Sequence, residues 1–520
     1  MTPTAFRRTL DRGRFGAGLL RRLLRAYRSP PVEWRVGIDR SQAFLDRARA
    51  YIGMPGHPFA ALLAGAGWPL ARLERHLDAN SLERTLHDLA ADGVWLDADE
   101  VKCRRALVRR GRTVPFSPLD LEQVRGPSVP LGTSGTSGPR THNPIDLDGF
   151  DLQASYKRDM LAALGALDWP LALYYPAPSA AGIAHLISFA LAGKPPDAWF
   201  CHLPEAAGAS LPWSRWLRAL RLAAGAGGVR LPLPQLAAVE HPLPLVDWLH
   251  RHAREGGVVA TFPGSALRLV AFAESIGRPL PPLTFILGGE PVTPRKRARL
   301  ESYGHRVYPW YGAVDAGRIA IGCLAPDGAD DMHLLSDRYA AIDWQGRLLL
   351  TSLSPAVHKR YLNTDCGDLA DLSRRDCGCP LGRRGLPFHV RNVRSVQKLC
   401  LEGITLPADL VHRLAEEMLP AHCGGTPGDY QLQEREDDGG WTRLVVLVAP
   451  EIPVAADAVI SVVHRVLLEA AGDAPALAQR IARSDVVTVS RQRPRFSRGG
   501  KLLPRERITD ATPAEDGAQR

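Results

Sequence analysis

The sequence predicts an α/β protein with a large, multi-layer N-terminal domain and a small β-α-β-β-α-β C-terminal domain. Up to about residue 390, helix-like segments alternate with short apolar runs, a pattern typical of helices packed over buried strands. Beyond that point the pattern changes to short strands and amphipathic helices around a hairpin turn, Asp437-Asp-Gly-Gly440. The chain has 520 residues, of which 45% are apolar, and this is enough for two separate cores.

The large domain, placed at residues 41–393, is defined by its alternation of helices and strands. Helices are predicted at 43–50, 69–76, 81–91, 150–165, 213–223, 265–276 and 293–303, and strands at positions including Leu171–Tyr175, Val258–Phe262, Thr284–Leu287 and Leu348–Leu353. Such continuous apolar runs are typical of strands that helices cover on both faces. We therefore expect a largely buried sheet.

The small domain, placed at residues 394–508, begins at a boundary near Arg394–Lys398. Its predicted elements are a strand at Lys398–Leu401, a helix at 407–418, strands at Tyr430–Gln433 and Arg443–Val448, a helix at 454–470 and a strand at 485–490. The second helix should turn an apolar face inward, formed by Val459, Val462, Val463, Val466 and Leu467. Residues 509–520 are expected to be a disordered tail.

The formal net charge of +10 is concentrated at the N-terminus. Residues 1–40 hold ten Arg against three acidic residues, so this segment carries +7 and the other 480 residues carry +3. We interpret residues 1–40 as a basic arm outside the main body, and expect no nucleic-acid partner for that body. Arg21–Arg28 could form a membrane-surface or partner-binding helix, but a solvated helix face with Leu23 and Leu24 packed inward is favoured.

Cysteine usage and hydropathy indicate the compartment. Eight cysteines without a regular framework are typical of a reducing compartment. The most apolar stretch, residues 161–193, is interrupted by Asp168 and by prolines, so no segment is expected to span a membrane. We therefore expect a cytoplasmic protein, and the sequence leaves its oligomeric state open.

The first motif that points to chemistry is the run between Leu131 and Thr141. Its Gly, Ser and Thr residues present backbone N–H and hydroxyl donors without bulky side chains, which suits a polyphosphate. A flexible linker is the alternative, but the strand-like segment Ser128–Leu131 before the run and a helix after it favour binding. The donors are Thr133, Ser134, Gly135, Thr136, Ser137 and Gly138.

Two further segments are apolar strands that end in glycine-rich turns, Phe285–Pro291 and Tyr308–Gly317. In open α/β sheets, ligands bind at the carboxyl ends of the strands. Tyr311 could cover a flat base there, and Asp315 could hold Mg²⁺ together with substrate phosphate. Later in the chain, Asp368 follows a glycine and could accept hydrogen bonds from ribose hydroxyls.

Lys501 is notable because lysine is rare in this chain. Only seven of the 65 basic residues are Lys, so Arg is the default cation. A Lys behind two glycines, in Gly499-Gly-Lys501, therefore indicates a need for a compact and mobile point charge.

In this order the motifs resemble the signature motifs of the adenylate-forming superfamily, which includes acyl-CoA synthetases and peptide-synthetase adenylation domains. The resemblance covers about residues 125–505 and rests on Thr133–Gly138, Gly288-Gly-Glu-Pro291, Tyr311-Gly-Ala-Val-Asp315, Gly367-Asp368, Arg394 and Gly500-Lys501. Within the superfamily, the Gly-Gly-Glu-Pro turn and the segment Gly403–Pro407 are most similar to the phenylacetate–CoA ligase group. The predicted small domain lies where such enzymes have their mobile domain.

The resemblance implies a role for each motif. ATP would be bound by a phosphate loop (Thr133–Gly138), an adenine pocket (Gly289, Glu290, Pro291, Tyr311 and Gly312) and a ribose carboxylate (Asp368). Asp315 would hold Mg²⁺, Arg394 would contact the nucleotide at the hinge, and Lys501 would bridge the substrate carboxylate and the α-phosphate. The small domain would rotate between the two half-reactions.

The implied reaction is ATP-dependent adenylation of a carboxylic acid, expected to be aromatic, followed by transfer to CoA with release of AMP and pyrophosphate. The acid pocket is expected near Tyr174, His185 and Phe262, although a packed core histidine explains His185 equally well. A carrier-protein thiol, an amine or another nucleophile is an alternative acceptor. A second alternative, kept open by the altered motif Val314-Asp315, is a non-catalytic scaffold with a basic nucleic-acid- or membrane-binding arm.

Four residues have the chemistry of a structural zinc site. Cys377-Gly-Cys379 is a thiolate pair at ligand spacing, and Cys323 and His333 could complete a Cys₃His set. Buried free thiols and a surface histidine are the alternative, and Cys366 is a rival ligand. Some members of the phenylacetate–CoA ligase-like group carry a similar set, which favours a zinc ion that staples the fold.

Overall fold

The architecture comes from a computed structural model and is described for residues 3–28, 34, 36–54, 56–123, 126–132, 142–176, 180–202, 211–313, 316–357, 359–395, 398–401, 404–471, 486–494 and 505–508. The helices in these ranges are α1 (Pro3–Arg28), α2 (Arg40–Ile52), α3 (Pro58–Gly65), α4 (Leu70–Ala79), α5 (Leu82–Ala91), α6 (Ala98–Val101), α7 (Leu147–Ala163), α8 (Ala180–Leu191), α9 (Leu211–Ala226), α10 (Leu243–His252), α11 (Pro263–Ser275), α12 (Pro294–Ser302), α13 (Pro380–Arg383), α14 (Ala408–His412), α15 (Leu419–Cys423) and α16 (Ala456–Ala471).

The strands in the same ranges are β1 (Val108–Arg109), β2 (Arg112–Thr113), β3 (Ser128–Gly132), β4 (His142–Asp146), β5 (Leu171–Tyr174), β6 (Ala198–Cys201), β7 (Pro234–Leu236), β8 (Gly257–Thr261), β9 (Leu283–Leu287), β10 (Arg306–Ala313), β11 (Gly317–Gly322), β12 (Met332–Leu334), β13 (Tyr339–Trp344), β14 (Arg347–Ser352), β15 (Thr364–Asp365), β16 (Asp368–Arg374), β17 (Phe388–Ser395), β18 (Lys398–Leu401), β19 (Ile404–Pro407), β20 (Tyr430–Glu436), β21 (Thr442–Val448), β22 (Val487–Ser490) and β23 (Arg505–Ile508).

The central element is a ten-stranded sheet with the order β16-β17-β12-β11-β10-β9-β8-β5-β6-β7. The six strands from β10 to β7 pair in parallel, and the four others continue the sheet with antiparallel pairing. Every residue of β5, β6, β8 and β9 is buried, as expected for continuous apolar strands covered on both faces. The strands predicted at 171–175, 258–262 and 284–287 are confirmed to within one residue at each end.

Helices cover both faces of this sheet. Leu171 and Leu173 of β5 belong to one core with α7, α8 and α9, whereas Ala172 and Tyr174 belong to a second core with α10 and α11. A third core lies between α2–α5 and a separate three-stranded sheet, β13-β14-β15, which contains the strand predicted at 348–353. The predicted α/β layering is confirmed.

Helix α1 belongs to the first of these cores. Phe15, Leu19 and Leu23, spaced four residues apart, are buried there, whereas the arginines at 21, 25 and 28 are exposed. The interpretation of residues 1–40 as an arm outside the main body is therefore corrected. The apolar spacing places one face of the helix in the core while its charges remain in solvent.

The C-terminal strands form a four-stranded sheet with the order β22-β21-β20-β23. Strands β20 and β21 form a hairpin across the predicted Asp437–Gly440 turn, and β22 and β23 each pair in parallel with one of them. Helix α16 packs on this sheet with Val459, Val462, Val463, Val466 and Leu467 buried. The inward face predicted for this helix is confirmed.

Two details of this region differ from the prediction. Strand β18 pairs with β19 in a separate hairpin, because Ile404–Pro407 supplies an adjacent partner, and the sheet takes its fourth strand from β23. The helix predicted at 407–418 continues to Cys423 as α14, a π-helical turn at Arg413–Met418, and α15.

The β20–β21 hairpin contacts helix α12 of the preceding part of the chain. The Thr293 hydroxyl lies 2.8 and 2.7 Å from the two carboxylate oxygens of Glu436, and the buried Lys296 Nζ donates to Thr442 Oγ1 at 2.9 Å. These bonds fix the hairpin at the first turn of α12. No helix in the described part of the chain is both long and apolar enough to cross a bilayer.

Candidate active site

The candidate site lies at the carboxyl end of the parallel strands. Strand β9 ends at Leu287, which pairs with Pro309 of β10, so the Gly288–Pro291 turn lies beside Trp310. Strand β10 continues through Tyr311, with an irregularity in its pairing with β11 between Tyr311 and Gly312. Both glycine-rich turns identified in the sequence therefore meet at one edge.

Close packing explains the glycines of the first turn. A Cβ atom on Gly288 would lie 2.1 Å from Trp310 Cδ1, and a Cβ on Gly289 would lie 2.8 Å from Phe262 Cε1. Gly289 also has a φ of +84°, which favours glycine. The turn therefore brings the rings of Trp310 and Phe262 against the backbone of this edge.

Glu290 connects this turn to the next helix. Its Oε2 accepts a hydrogen bond from the Gly264 backbone N–H at 3.0 Å, in the first turn of α11. A carboxylate at a helix N-terminus is favourable because it satisfies a free N–H and complements the helix dipole. The described contact of Glu290 is thus with the scaffold that holds Phe262.

The residues predicted to contact the adenine base and the ribose of the nucleotide lie next to each other. The Tyr311 hydroxyl donates to Asp368 Oδ2 at 2.7 Å, although the two residues are 57 positions apart. Gly312 follows directly, and a Cβ there would lie 2.4 Å from the Gly317 carbonyl oxygen. The sheet therefore places an aromatic ring and a carboxylate side by side at the edge where the turns meet.

Arg394 lies on the strand next to Asp368. It is opposite Leu369 in the β16–β17 pair, and its Nη1 donates to Asp330 Oδ2 at 3.2 Å. The same carboxylate accepts the backbone N–H groups of Asn392 and Val393. Asp330 thus fixes the Arg394 guanidinium on β17, one register position from Asp368.

Several predicted site residues lie outside the described residues. They are Thr133, Ser134, Gly135, Thr136, Ser137 and Gly138 of the phosphate loop, Asp315, and Lys501.

The three residues predicted for the acid pocket are only partly brought together. His185 of α8 stacks on Trp310 with the ring centroids 4.5 Å apart, and Phe262 meets Tyr175 edge-on at 5.0 Å. Tyr174 points to the other face of β5, with its ring against His202 at 4.1 Å. The ring centroid of Tyr175 lies 5.0 Å from that of His185. Tyr175 therefore occupies the place beside His185 that was expected for Tyr174.

Sequence analysis missed two residues at this place. Lys157 of α7 is fully buried and lies 3.2 Å from His185 Nδ1, and Arg318 of β11 covers the Trp310 ring at 3.8 Å. Burial lowers the pKa of Lys157 well below its usual value, and the nearby Arg318 lowers it further. The rarity of lysine, which singled out Lys501, could have indicated Lys157 as well.

The Cys₃His set predicted from the sequence comes together in the structure. The ligand atoms of Cys323, His333, Cys377 and Cys379 all lie within 4.8 Å of one another. His333 Nε2 is 3.2 Å from Cys379 Sγ and 3.7 Å from Cys377 Sγ, while its Nδ1 is 2.8 Å from the Leu386 carbonyl oxygen. That bond leaves Nε2 facing the sulfurs as an electron-pair donor.

The surroundings of the cluster suit a metal. The hydrogen bond from Cys323 lowers the pKa of Cys379, which favours its thiolate. A Cβ on Gly382 would lie 2.7 Å from Cys377 Sγ, so glycine keeps the space open. Cys366 is not a member of this group.

Comparison with solved structures identifies a protein with a similar fold. No family model and no curated protein matches this sequence. A crystal structure of 2-hydroxyisobutyryl-CoA ligase, in complex with 2-HIB-AMP and CoA in the thioesterification state, is similar over 90% of both chains, with a TM-score of 0.54 and 15% identity. The chain therefore shares the fold of this ligase.

Two more solved structures are similar in part. The alignment with the same ligase in the postadenylation state covers 95% of this chain and 89% of the ligase chain, with a TM-score of 0.44 and 14% identity. The o-succinylbenzoate CoA synthetase from Bacillus subtilis, in complex with OSB-AMP, covers 72% and 67%, with a TM-score of 0.32 and 15% identity. The large α/β fold predicted from the sequence is confirmed by the first of these comparisons.

Proposed function

We propose that this protein is an acid–thiol ligase that adenylates a carboxylic acid with ATP and passes the acyl group to CoA. The observation that carries the proposal is the hydrogen bond between Tyr311 and Asp368, at the carboxyl edge of an adenylate-forming fold. The Tyr311 ring would cover adenine, and the Asp368 carboxylate would accept the ribose hydroxyls. The glycines at 288 and 289 would hold the rings of Trp310 and Phe262 beside the nucleotide.

The chemistry needs positioning and charge neutralisation. A substrate carboxylate oxygen forms a bond to the α-phosphorus of ATP while the bond to pyrophosphate breaks, so negative charge grows on the leaving group. Lys501 and the Thr133–Gly138 donors would stabilise this charge, and Asp315 would hold the Mg²⁺ that accompanies ATP. In the second step the thiol sulfur attacks the acyl carbon, the thiol proton is lost to solvent, and AMP leaves.

An aromatic acid of the kind used by phenylacetate–CoA ligase-like enzymes is the proposed substrate. The side chains of Tyr175, His185, Phe262 and Trp310 gather beside the Gly288–Pro291 turn, and flat rings pack well in such surroundings. CoA is the proposed acceptor, and a carrier-protein thiol or an amine is the alternative.

The test is ATP–pyrophosphate exchange across a panel of aryl and aliphatic acids. We expect exchange with aryl acids, a loss of at least about 100-fold in Lys501→Ala, and little change in Lys194→Ala, whose surface pair with Asp197 contributes little. Addition of CoA should then give a thioester detectable by mass spectrometry. Absence of exchange with every acid would contradict adenylation, and exchange without a thioester would favour another acceptor.

We also propose that Cys323, His333, Cys377 and Cys379 hold a structural zinc ion. Four ligand atoms of the Cys₃His type within 4.8 Å of one another match a closed tetrahedral site. The ion would join the end of β11, strand β12 and the start of α13.

Elemental analysis tests the zinc proposal. Wild-type protein should contain about one zinc per chain, Cys377→Ser should lose most of it, and Cys366→Ser should keep it. Wild-type protein without zinc, or equal loss in the two variants, would contradict the proposal.

A further inference from the structure

Helices α1 and α9 lie side by side on one core. The ring centroids of Phe15 and Trp216 are 6.3 Å apart, and a Cβ on Gly227, just after α9, would lie 2.0 Å from Leu24 Cδ2. Both helices bury one face in the same core, and the residues that do so are Phe15, Leu19 and Leu23 of α1 and Leu217, Leu220 and Ala224 of α9. The opposite faces of the two helices are therefore exposed on the same side of the molecule.

Arginines occupy both of these exposed faces. Helical periodicity places four arginines of α1 and two of α9 away from the buried residues, and all six are exposed. We call them the arginine face, which consists of Arg14, Arg21, Arg25, Arg28, Arg215 and Arg218. The sequences of α1 and α9 contain eight and three Arg, respectively, and a single acidic residue, Asp11.

The charge of the arginine face is not neutralised by ion pairs within the described part of the chain. The ion pairs of α1 in that part belong to Arg22, on the flank of the helix, which lies 2.7 Å from Asp148 and 2.8 Å from Asp151 of α7. None of the six arginines of the face has a described carboxylate within ion-pair distance. Six like charges on two adjacent helices repel one another and attract an anionic partner from solution.

A depression and two exposed apolar side chains accompany these charges. Arg21, Leu24, Arg25 and Arg28 line an open depression of about 370 Å³. Leu222 of α9 is 75% exposed, more than any other large apolar side chain among the described residues. Tyr27 is 60% exposed, and its ring lies against Gly228. The surface thus combines many cations with isolated apolar side chains.

This combination favours a lipid surface over a protein or a nucleic acid. Protein interfaces gather apolar residues at the centre and contain few charges there, whereas here the apolar residues are scattered among arginines. A nucleic acid would neutralise the arginines but would offer Leu222 no apolar contact. An anionic bilayer offers both partners, because its phosphates face the arginines and its acyl chains lie just beneath them.

We infer that the arginine face, with Leu222 and Tyr27, docks the protein on a membrane surface that contains anionic phospholipids. A lipid phosphate would occupy the depression between Arg21, Arg25 and Arg28, and the Leu222 side chain would enter the headgroup region. Docking of this kind does not depend on the reaction proposed above.

Cosedimentation with vesicles tests the docking surface. Wild-type protein should bind vesicles of phosphatidylcholine with about one third phosphatidylglycerol at about 0.15 M salt, and it should not bind pure phosphatidylcholine. The double variant Arg21→Glu/Arg25→Glu should bind the anionic vesicles at least about tenfold more weakly. The matched control, Arg251→Glu/Arg254→Glu, makes the same charge change at exposed positions after α10 and should stay within about threefold of wild type.

A second variant distinguishes a bilayer from another polyanion. Leu222→Ser leaves the charge unchanged and should weaken vesicle binding by about threefold or more, because less apolar surface enters the bilayer. An excess of duplex DNA should not displace wild-type protein from the vesicles. The inference is overturned if wild-type protein ignores anionic vesicles, if the two charge variants bind equally, if Leu222→Ser binds as wild type does, or if DNA displaces the protein.

Two further measurements separate docking from folding and from the proposed function. All three variants change exposed residues, so their Tm should stay within about 2 °C of wild type, and their ATP–pyrophosphate exchange without vesicles should equal that of wild type. Exchange without vesicle binding would overturn docking alone. Vesicle binding without exchange for any acid would support docking and contradict the proposed function.

Discussion

At the scale of single residues, a buried histidine shows how strongly burial in this core shifts a side-chain pKa. His305, just before β10, is 3% exposed, its Nδ1 accepts the Leu283 backbone N–H at 3.4 Å, and its ring meets Phe285 edge-on. Burial lowers the pKa of His305 to about 4. The folded protein therefore favours neutral His305 at pH values where the unfolded chain already binds a proton.

The sign of the resulting pH dependence follows from that shift. The stability linked to His305 is fully present above the unfolded pKa of about 6.5, and it is lost as the pH falls toward the folded pKa. Between pH 7 and pH 5, wild-type Tm should fall about 3 °C further than that of His305→Gln, whose side chain does not titrate. Equal Tm losses in scanning calorimetry would contradict this account.

At the scale of elements, helix α1 shows that charge and packing can be independent. Its arginines gave a strongly basic segment, yet Phe15, Leu19 and Leu23 lie in the core with α7, α8 and α9. A segment with this spacing of apolar residues is an amphipathic helix whatever its net charge.

Because α1 belongs to the core, shortening one of its buried side chains should destabilise the protein. Leu19→Ala removes a fully buried side chain and should cost about 2–5 kcal/mol, or a fall in Tm of at least about 2 °C. Arg21→Ala, on the exposed side of the same helix, should change Tm by less than about 1 °C. Equal Tm values for Leu19→Ala and wild type would show that the helix does not contribute to the core.

At the scale of the whole molecule, some features follow from pattern and others from tertiary packing. Continuous apolar runs predicted the buried strands, since a strand covered on both faces needs no alternation. The sequence does not distinguish Tyr175 from Tyr174 as the pocket residue, because strand periodicity does not say which alternate face meets a pocket. Strand β23 is missed because its Arg505–Ile508 sequence is mostly charged.

In the candidate site, too, some contacts follow from the sequence and others from tertiary packing. The order of the motifs was enough to associate Tyr311 with Asp368, and Cys323 with the Cys377–Cys379 pair, across long separations. The contact between Lys157 and His185 could not be predicted, because it depends on how α7 and α8 pack. Packing of that kind leaves no periodic signal in either helix.

We expect a nucleotide to bind at the Tyr311–Asp368 edge of the sheet. Calorimetric titration with AMP tests it most directly, using Asp368→Ala and, as a matched control, Asp371→Ala, an exposed carboxylate on the same strand. We predict that Asp368→Ala weakens AMP binding by at least about tenfold, the loss expected for hydrogen bonds to a charged group, while Asp371→Ala stays within about twofold of wild type. Wild-type protein that does not bind AMP, or equal affinities in Asp368→Ala and wild type, would contradict the account.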